Sequence, residues 1–138
     1  TIIAASDTPI EFFHGYTMSG HPLACAAGLA TLEVFREQRL FERAAELAPY
    51  WEEAIHALRD ARHVIDIRNL GLIGGIELEP RPGKPTQRAL AAFRICFEKG
   101  VLIRVTGDII ALSPPLIIDK AQIDQIMDTI RGALKSLD

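Results

Sequence analysis

Apolar positions along this chain switch period several times, and each switch marks a new element. From His21 to about Arg39 the pattern predicts a helix rich in small residues: Ala24, Cys25, Ala26, Ala27, Gly28 and Ala30. Small side chains admit a close neighbour, so this helix is expected to be buried on several sides or to form a subunit contact. Leu40, Ala44, Leu47, Trp51, Ala54, Ile55 and Leu58 recur at steps of three and four, which predicts a second helix over 40–60 with one apolar stripe. Pro49 should kink or break it, and Trp51 reads as a core anchor. The β-branched run Val64–Arg68 predicts a strand. Asn69-Leu70-Gly71 reads as a turn, and Leu72–Leu78 as a second strand that could close a hairpin. Gly74 and Gly75 weaken that strand unless a backbone or ligand approaches closely.

The stretch 79–85 is a loop on composition. Thr86 is expected to cap a third helix with Leu90, Phe93 and Phe97 on its buried side, ended by Gly100. Val101–Val105 and Ile109–Leu112 read as strands around a Thr106-Gly107-Asp108 turn, halted by Ser113-Pro114-Pro115. Asp119 and Gln122 form a capping-box pattern for a last helix, whose core side carries Ile123, Ile126, Met127, Ile130 and Leu134. The order helix, helix, strand, strand, helix, strand, strand, helix predicts an α+β fold. It would be a small, mainly antiparallel sheet covered on one face by helices. No repeat, low-complexity tract or second domain stands out.

Composition narrows the function classes. The 138 residues are 49% hydrophobic and 24% charged, as expected for a folded globular chain. With a net charge of −3 and scattered basic residues, there is no nucleic-acid footprint. Apolar stretches stop well short of a membrane span. Cys25 and Cys96 both read as buried free thiols of a reducing compartment, with a disulfide or metal pair as the alternative, and the protein is expected to be cytoplasmic. Thr1 is not a natural start, so the chain is expected to be a piece of a longer protein.

Candidate chemistry is sparse. His14, His21, His56 and His63 show no metal-ligand spacing, so no metal site is expected, and His56 and His63 read as exposed polar residues. The stretch His14-Gly15-Tyr16-Thr17-Met18-Ser19-Gly20-His21-Pro22 is a turn-rich loop entering a helix. It is either a structural cap or a site where amides and hydroxyls at the positive end of a helix hold a phosphate. Arg104 lies in a strongly apolar strand, where it either snorkels outward or offers its fork to a carboxylate. Arg68 shares that ambiguity. Lys84, Lys99, Lys120 and Lys135 all lie in polar settings, and none reads as a Schiff-base nucleophile.

These residues resemble a known family. Phe13–Ala24, Asn69–Leu78, Leu102–Asp108 and Ser113–Leu116 run in the order seen in class III aminotransferases, pyridoxal-phosphate enzymes of fold type I. Val64–Asn69 and the Ser-Gly-His form of the loop are similar to the branch using ω-amino acids such as β-alanine with pyruvate. The resemblance implies that Thr17 binds the cofactor phosphate in the neighbouring subunit's site, with Tyr16 and Gly15 beside it. Arg104 would pair with the substrate carboxylate and swing away for substrates lacking one. It implies a homodimer or homotetramer acting on a small amino donor and a 2-oxo acid. The Schiff-base lysine, the acid facing the pyridine nitrogen and the aromatic stacking on the ring would all lie upstream, outside this chain. No catalytic residue is therefore expected within it, and the piece alone should be inactive. Residues 1–20 would belong to the missing large domain, 21–60 would be connecting helices, and 61–138 the C-terminal small domain. Met18 departs from the aromatic residue common at its position. A second reading is a non-catalytic α+β association or regulatory module, binding a partner subunit through the small-residue helix after His21.

Overall fold

The computed structural model describes residues 16–138, so His14 and Gly15 and the expectations for 1–15 lie outside the described residues. The chain divides into two compact units, ending and beginning at Glu37 and Gln38. In the first, a turn over 17–20 leads into α1 (Pro22–Glu37). Pro22 occupies the first helical position, where a missing N–H leaves no bond unmade. None of the residues of α1 is buried, contrary to the expectation of burial on several sides. Its small side chains are exposed among the described residues.

The second unit holds α2 (Leu40–His56), β1 (Val64–Leu70), β2 (Ile73–Leu78), α3 (Gln87–Glu98), β3 (Arg104–Thr106), β4 (Ile109–Leu112) and α4 (Lys120–Ser136). The predicted element order is the observed one. The four strands form an antiparallel sheet in the order β1-β2-β4-β3, giving the expected α+β fold. Paired residues share a face. Ile67, Ile76, Ile110 and Val105 make one row across the inner face, with Ile76 and Ile110 fully buried. On this side α2 packs against β1, α3 against β3 and β4, and α4 against both helices.

α2 runs through Pro49 without a break, and its whole apolar stripe is buried or half-buried. It ends at His56, with Leu58 buried in the turn that follows. β1 extends to Leu70, so the hairpin turns at 71–72 rather than at Asn69. β3 begins only at Arg104, later than expected. Gly74 has the close neighbour that a glycine in a strand implies. A Cβ there would lie 2.4 Å from Ile55 Cδ1 and 3.4 Å from Trp51 Nε1.

α3 is rotated from the expected face. Ala89, Ala92 and Cys96 are fully buried and Arg88 nearly so, whereas Leu90 and Phe93 are half-buried and Phe97 is exposed. The buried line lies one residue earlier in sequence, about 100° around the helix. Small side chains bring this helix close to its neighbours, and the bulky ones stay at the margin, where Phe93 stacks on Phe97 at 6.1 Å. Thr86 stands at the N-cap position with φ 70° and makes no side-chain cap. Its backbone N–H instead donates to Asp108 Oδ1 at 2.9 Å. Gly100, at φ +80°, closes the helix as expected.

α4 carries the complete capping box. Gln122 N donates to Asp119 Oδ1 at 2.8 Å, and Asp119 N donates to Gln122 Oε1 at 3.1 Å. Asp119→Ala removes one acceptor and one half of the box. It should lower unfolding stability by about 1 kcal/mol, read as a shifted midpoint in urea with an unchanged slope. An unshifted midpoint would mean the cap is idle.

Candidate active site

The sequence-predicted site residues fall in both units. In the first, Ser19 N donates to Tyr16 O at 3.0 Å and His21 N to Met18 O at 3.3 Å, so two successive turns wind the loop down into α1. Gly20 takes φ +76° to make the second of them. Tyr16 and Thr17 are exposed. The first-turn amides of Leu23 and Ala24 have no intrahelical acceptor by helix geometry. A hydroxyl at Thr17 and free amides at a helix start are donors of the kind a phosphate accepts, so this part of the chain fits a phosphorylated cofactor. The four lysines are all exposed, and none is placed as the desolvated amine that Schiff-base chemistry uses.

In the second unit the outer face of the sheet separates the two arginines that sequence left ambiguous. Arg68, Gly75, Ala111 and Arg104 form one row across it. Arg68 is committed: its Nη1 donates to Glu77 Oε2 at 2.8 Å and to Asp66 Oδ2 at 2.5 Å. These carboxylates, Glu77 foremost, hold its guanidinium above the ordinary value. Arg104 is exposed, and its guanidinium has no hydrogen bond or ion pair with any described residue. It is the arginine of this row left open to an external carboxylate.

Arg104 also lies at the sheet end where β2 starts and β4 stops. There a cavity of about 780 Å³ opens, lined by Trp51, Gly74, Phe93, Leu112 and Ile126 among others. Trp51 is fully buried, as a core anchor should be, yet its Nε1–H has no acceptor among the described residues. Such a group costs about 1–3 kcal/mol when left unpaired.

Several polar residues differ from expectation. His63 is not exposed. Its side chain is 11% accessible and its Nδ1 lies 3.7 Å from Glu79 Oε2. His56 is half-buried, between Asn69 Oδ1 at 2.9 Å and Arg59 Nη2 at 3.1 Å. Arg88, which nothing in the sequence singled out, is buried and donates to the Glu79 carbonyl and, at 3.3 Å, to the Asp138 carbonyl. Only Cys96 of the two thiols is buried, while Cys25 is exposed. Burial pushes the Cys96 thiol up, against a smaller opposing pull from Lys99. Among the described residues no cluster could hold a metal, and no helix is long and apolar enough to cross a membrane.

The family description for class-III aminotransferases matches residues 2–134. This chain belongs to that family. It is 66% identical to an omega-aminotransferase of Caulobacter vibrioides over 96% of the chain and 30% of that protein. It is 40% identical to a beta-alanine–pyruvate aminotransferase of Pseudomonas aeruginosa over 97% of the chain and 30% of that protein. Its fold superposes on the adenosylmethionine-8-amino-7-oxononanoate aminotransferase of Methanocaldococcus jannaschii with a TM-score of 0.82. Identity there is 32%, over 93% of this chain and 31% of that one. The chain thus spans about 30% of the length of the curated relatives it matches. Class-III aminotransferases generally depend on pyridoxal phosphate.

Proposed function

We propose that this chain is the C-terminal part of a longer pyridoxal-phosphate-dependent aminotransferase that moves an amino group from an ω-amino acid such as β-alanine to pyruvate. The observation that carries this reading is the 66% identity to an omega-aminotransferase across nearly the whole chain. The printed name of the Pseudomonas aeruginosa relative supplies the substrate pair.

When bound, pyridoxal phosphate supplies the electron sink for charge developing on the substrate carbon. The chain's own residues do the holding. Thr17, with Tyr16 and Gly15 beside it, donates to the phosphate of the site in the neighbouring subunit of a homodimer or homotetramer. The small-residue face of α1 serves that subunit contact. Arg104 takes the substrate carboxylate through its N–H fork and turns away for a substrate without one. Its open, unpaired setting on the sheet supports that role. In this reading 1–20 belongs to the large domain, 21–60 connects, and 61–138 forms the small domain of a cytoplasmic enzyme.

The lysine nucleophile lies outside this chain, so the test compares two proteins. With pyridoxal phosphate, β-alanine and pyruvate, the complete protein should form alanine, and the isolated 138 residues should form none. Turnover by the isolated chain overturns this account, as does a complete protein inert towards every ω-amino acid offered.

A further inference from the structure

Arg104 shares the outer face of the sheet with a carboxylate of the chain's own. Gly75 and Ala111 lie in its row. Glu77, two residues beyond Gly75, belongs to the same face. Neighbouring strands lie about 4.8 Å apart and alternate residues of one strand about 7 Å, which puts the Glu77 and Arg104 backbones about 12 Å from each other. A glutamate and an arginine reaching towards one another can bridge that gap. The ground between them is low, since Gly75 has no side chain and Ala111 only a methyl. Arg104 nevertheless has no described partner, because Glu77 is held elsewhere. Arg68 Nη1 donates to Glu77 Oε2 at 2.8 Å and to Asp66 Oδ2 at 2.5 Å. Gly75 lets the Arg68 stem lie low over β2, where a Cβ would stand 3.7 Å from Arg68 Cγ. Among the described residues of the four strands, Arg68 and Arg104 are the two cations. Glu77 released from the one has the other as its alternative within the sheet.

We propose that Arg68 is a positioning residue for Arg104: by holding Glu77, it keeps the chain's own carboxylate off the guanidinium that receives the substrate's. This rests on the reading of Arg104 as the substrate-carboxylate arginine. A carboxylate fixed to the same sheet competes with a free one through proximity alone. The Arg68 side chain is 51% accessible, and ion pairs at such exposure add little to stability. The effect of the Asp66–Arg68–Glu77 group is therefore on substrate affinity rather than on unfolding. Asp66 plays the smaller part, because β1 is one strand further from Arg104 than β2.

A crystal structure of the complete protein carrying Arg68→Met supplies a test that needs no substrate. Glu77 should lie against Arg104 there, and Glu77 anywhere else overturns the proposal. Kinetics of the same protein gives the second arm. Arg68→Met should raise KM for β-alanine and pyruvate about 2- to 5-fold, the scale of one exposed ion pair, with KM for an amine lacking a carboxylate unchanged. Arg68→Lys keeps the charge and should stay near wild type. Adding Glu77→Gln to Arg68→Met should restore both KM values, since an amide is a poor rival for a guanidinium. A rise shared by the amine, or one that Glu77→Gln fails to reverse, also overturns the proposal, because Arg68 would then act by holding the sheet in shape. Glu77 on Arg104 with every KM unchanged upholds the restraint and removes the substrate reading of Arg104 alone. A selective loss in Arg104→Ala, with Glu77 unmoved in Arg68→Met, removes the restraint alone.

Discussion

Arg104→Ala in the complete protein is expected to raise KM for β-alanine and pyruvate by about 10- to 100-fold, the loss of a charge-assisted contact. KM for a simple amine without a carboxylate should barely move. The asymmetry follows from the sheet surface. Arg104 has no described partner to lose, so its removal leaves no carboxylate stranded, and the effect is confined to whatever the guanidinium binds from outside. Arg104→Lys should fall between, since an ammonium keeps the charge but not the two-pronged geometry. Steady-state kinetics with both substrate types decide the matter. Equal changes for the amine and the amino acid would take Arg104 out of the site.

Gly74→Val should destabilise the protein by about 1–3 kcal/mol, although valine is the better strand former by propensity. The new Cβ would lie 2.4 Å from Ile55 Cδ1 and press on Trp51, both fully buried and held by the packing of α2 on the sheet. Thermal unfolding of wild type and variant measures the loss. A variant at least as stable as wild type would mean that α2 can back away from the sheet, and that the close approach is not a constraint. Gly75, one residue on, makes a useful contrast, because a Cβ there meets nothing nearer than 3.6 Å.

Much of the fold was legible because the apolar stripes of α2 and α4 and the capping box at Asp119 are local signals. A stripe needs only its own helix, and a box only four consecutive residues. The rotation of α3 was not legible. Its larger residues fall on a helical line as regular as the buried one, and the choice between them is made by how near the sheet and α4 come. That is tertiary information. His63 and Arg88 were misjudged or missed for the same reason, since burial of a polar side chain depends on which distant carbonyl or carboxylate meets it. Gly74 was the exception, a tertiary contact announced by the absence of a side chain. At the candidate site, the residue pattern could not rank Arg104 above Arg68, and only the family resemblance chose between them. What ranks them is register: β1 and β2 place Asp66 and Glu77 where both reach Arg68, while the β3–β4 pairing offers Arg104 only Ala111. The Thr17 loop was legible as donors before a helix, fit for a cap or a phosphate, and only the family resemblance favours the phosphate.

β1 lies at one margin of the sheet, with no further strand beside it among the described residues, and has the apolar-rich sequence Val-Ile-Asp-Ile-Arg. Its pairing shifts between Val64 and Asp66, and the Asp66–Arg68 ion pair sits on its outer surface. An irregular backbone and fixed charge spoil the flat template that another strand would need to add to. Edge-to-edge addition of another strand is thereby disfavoured at this margin.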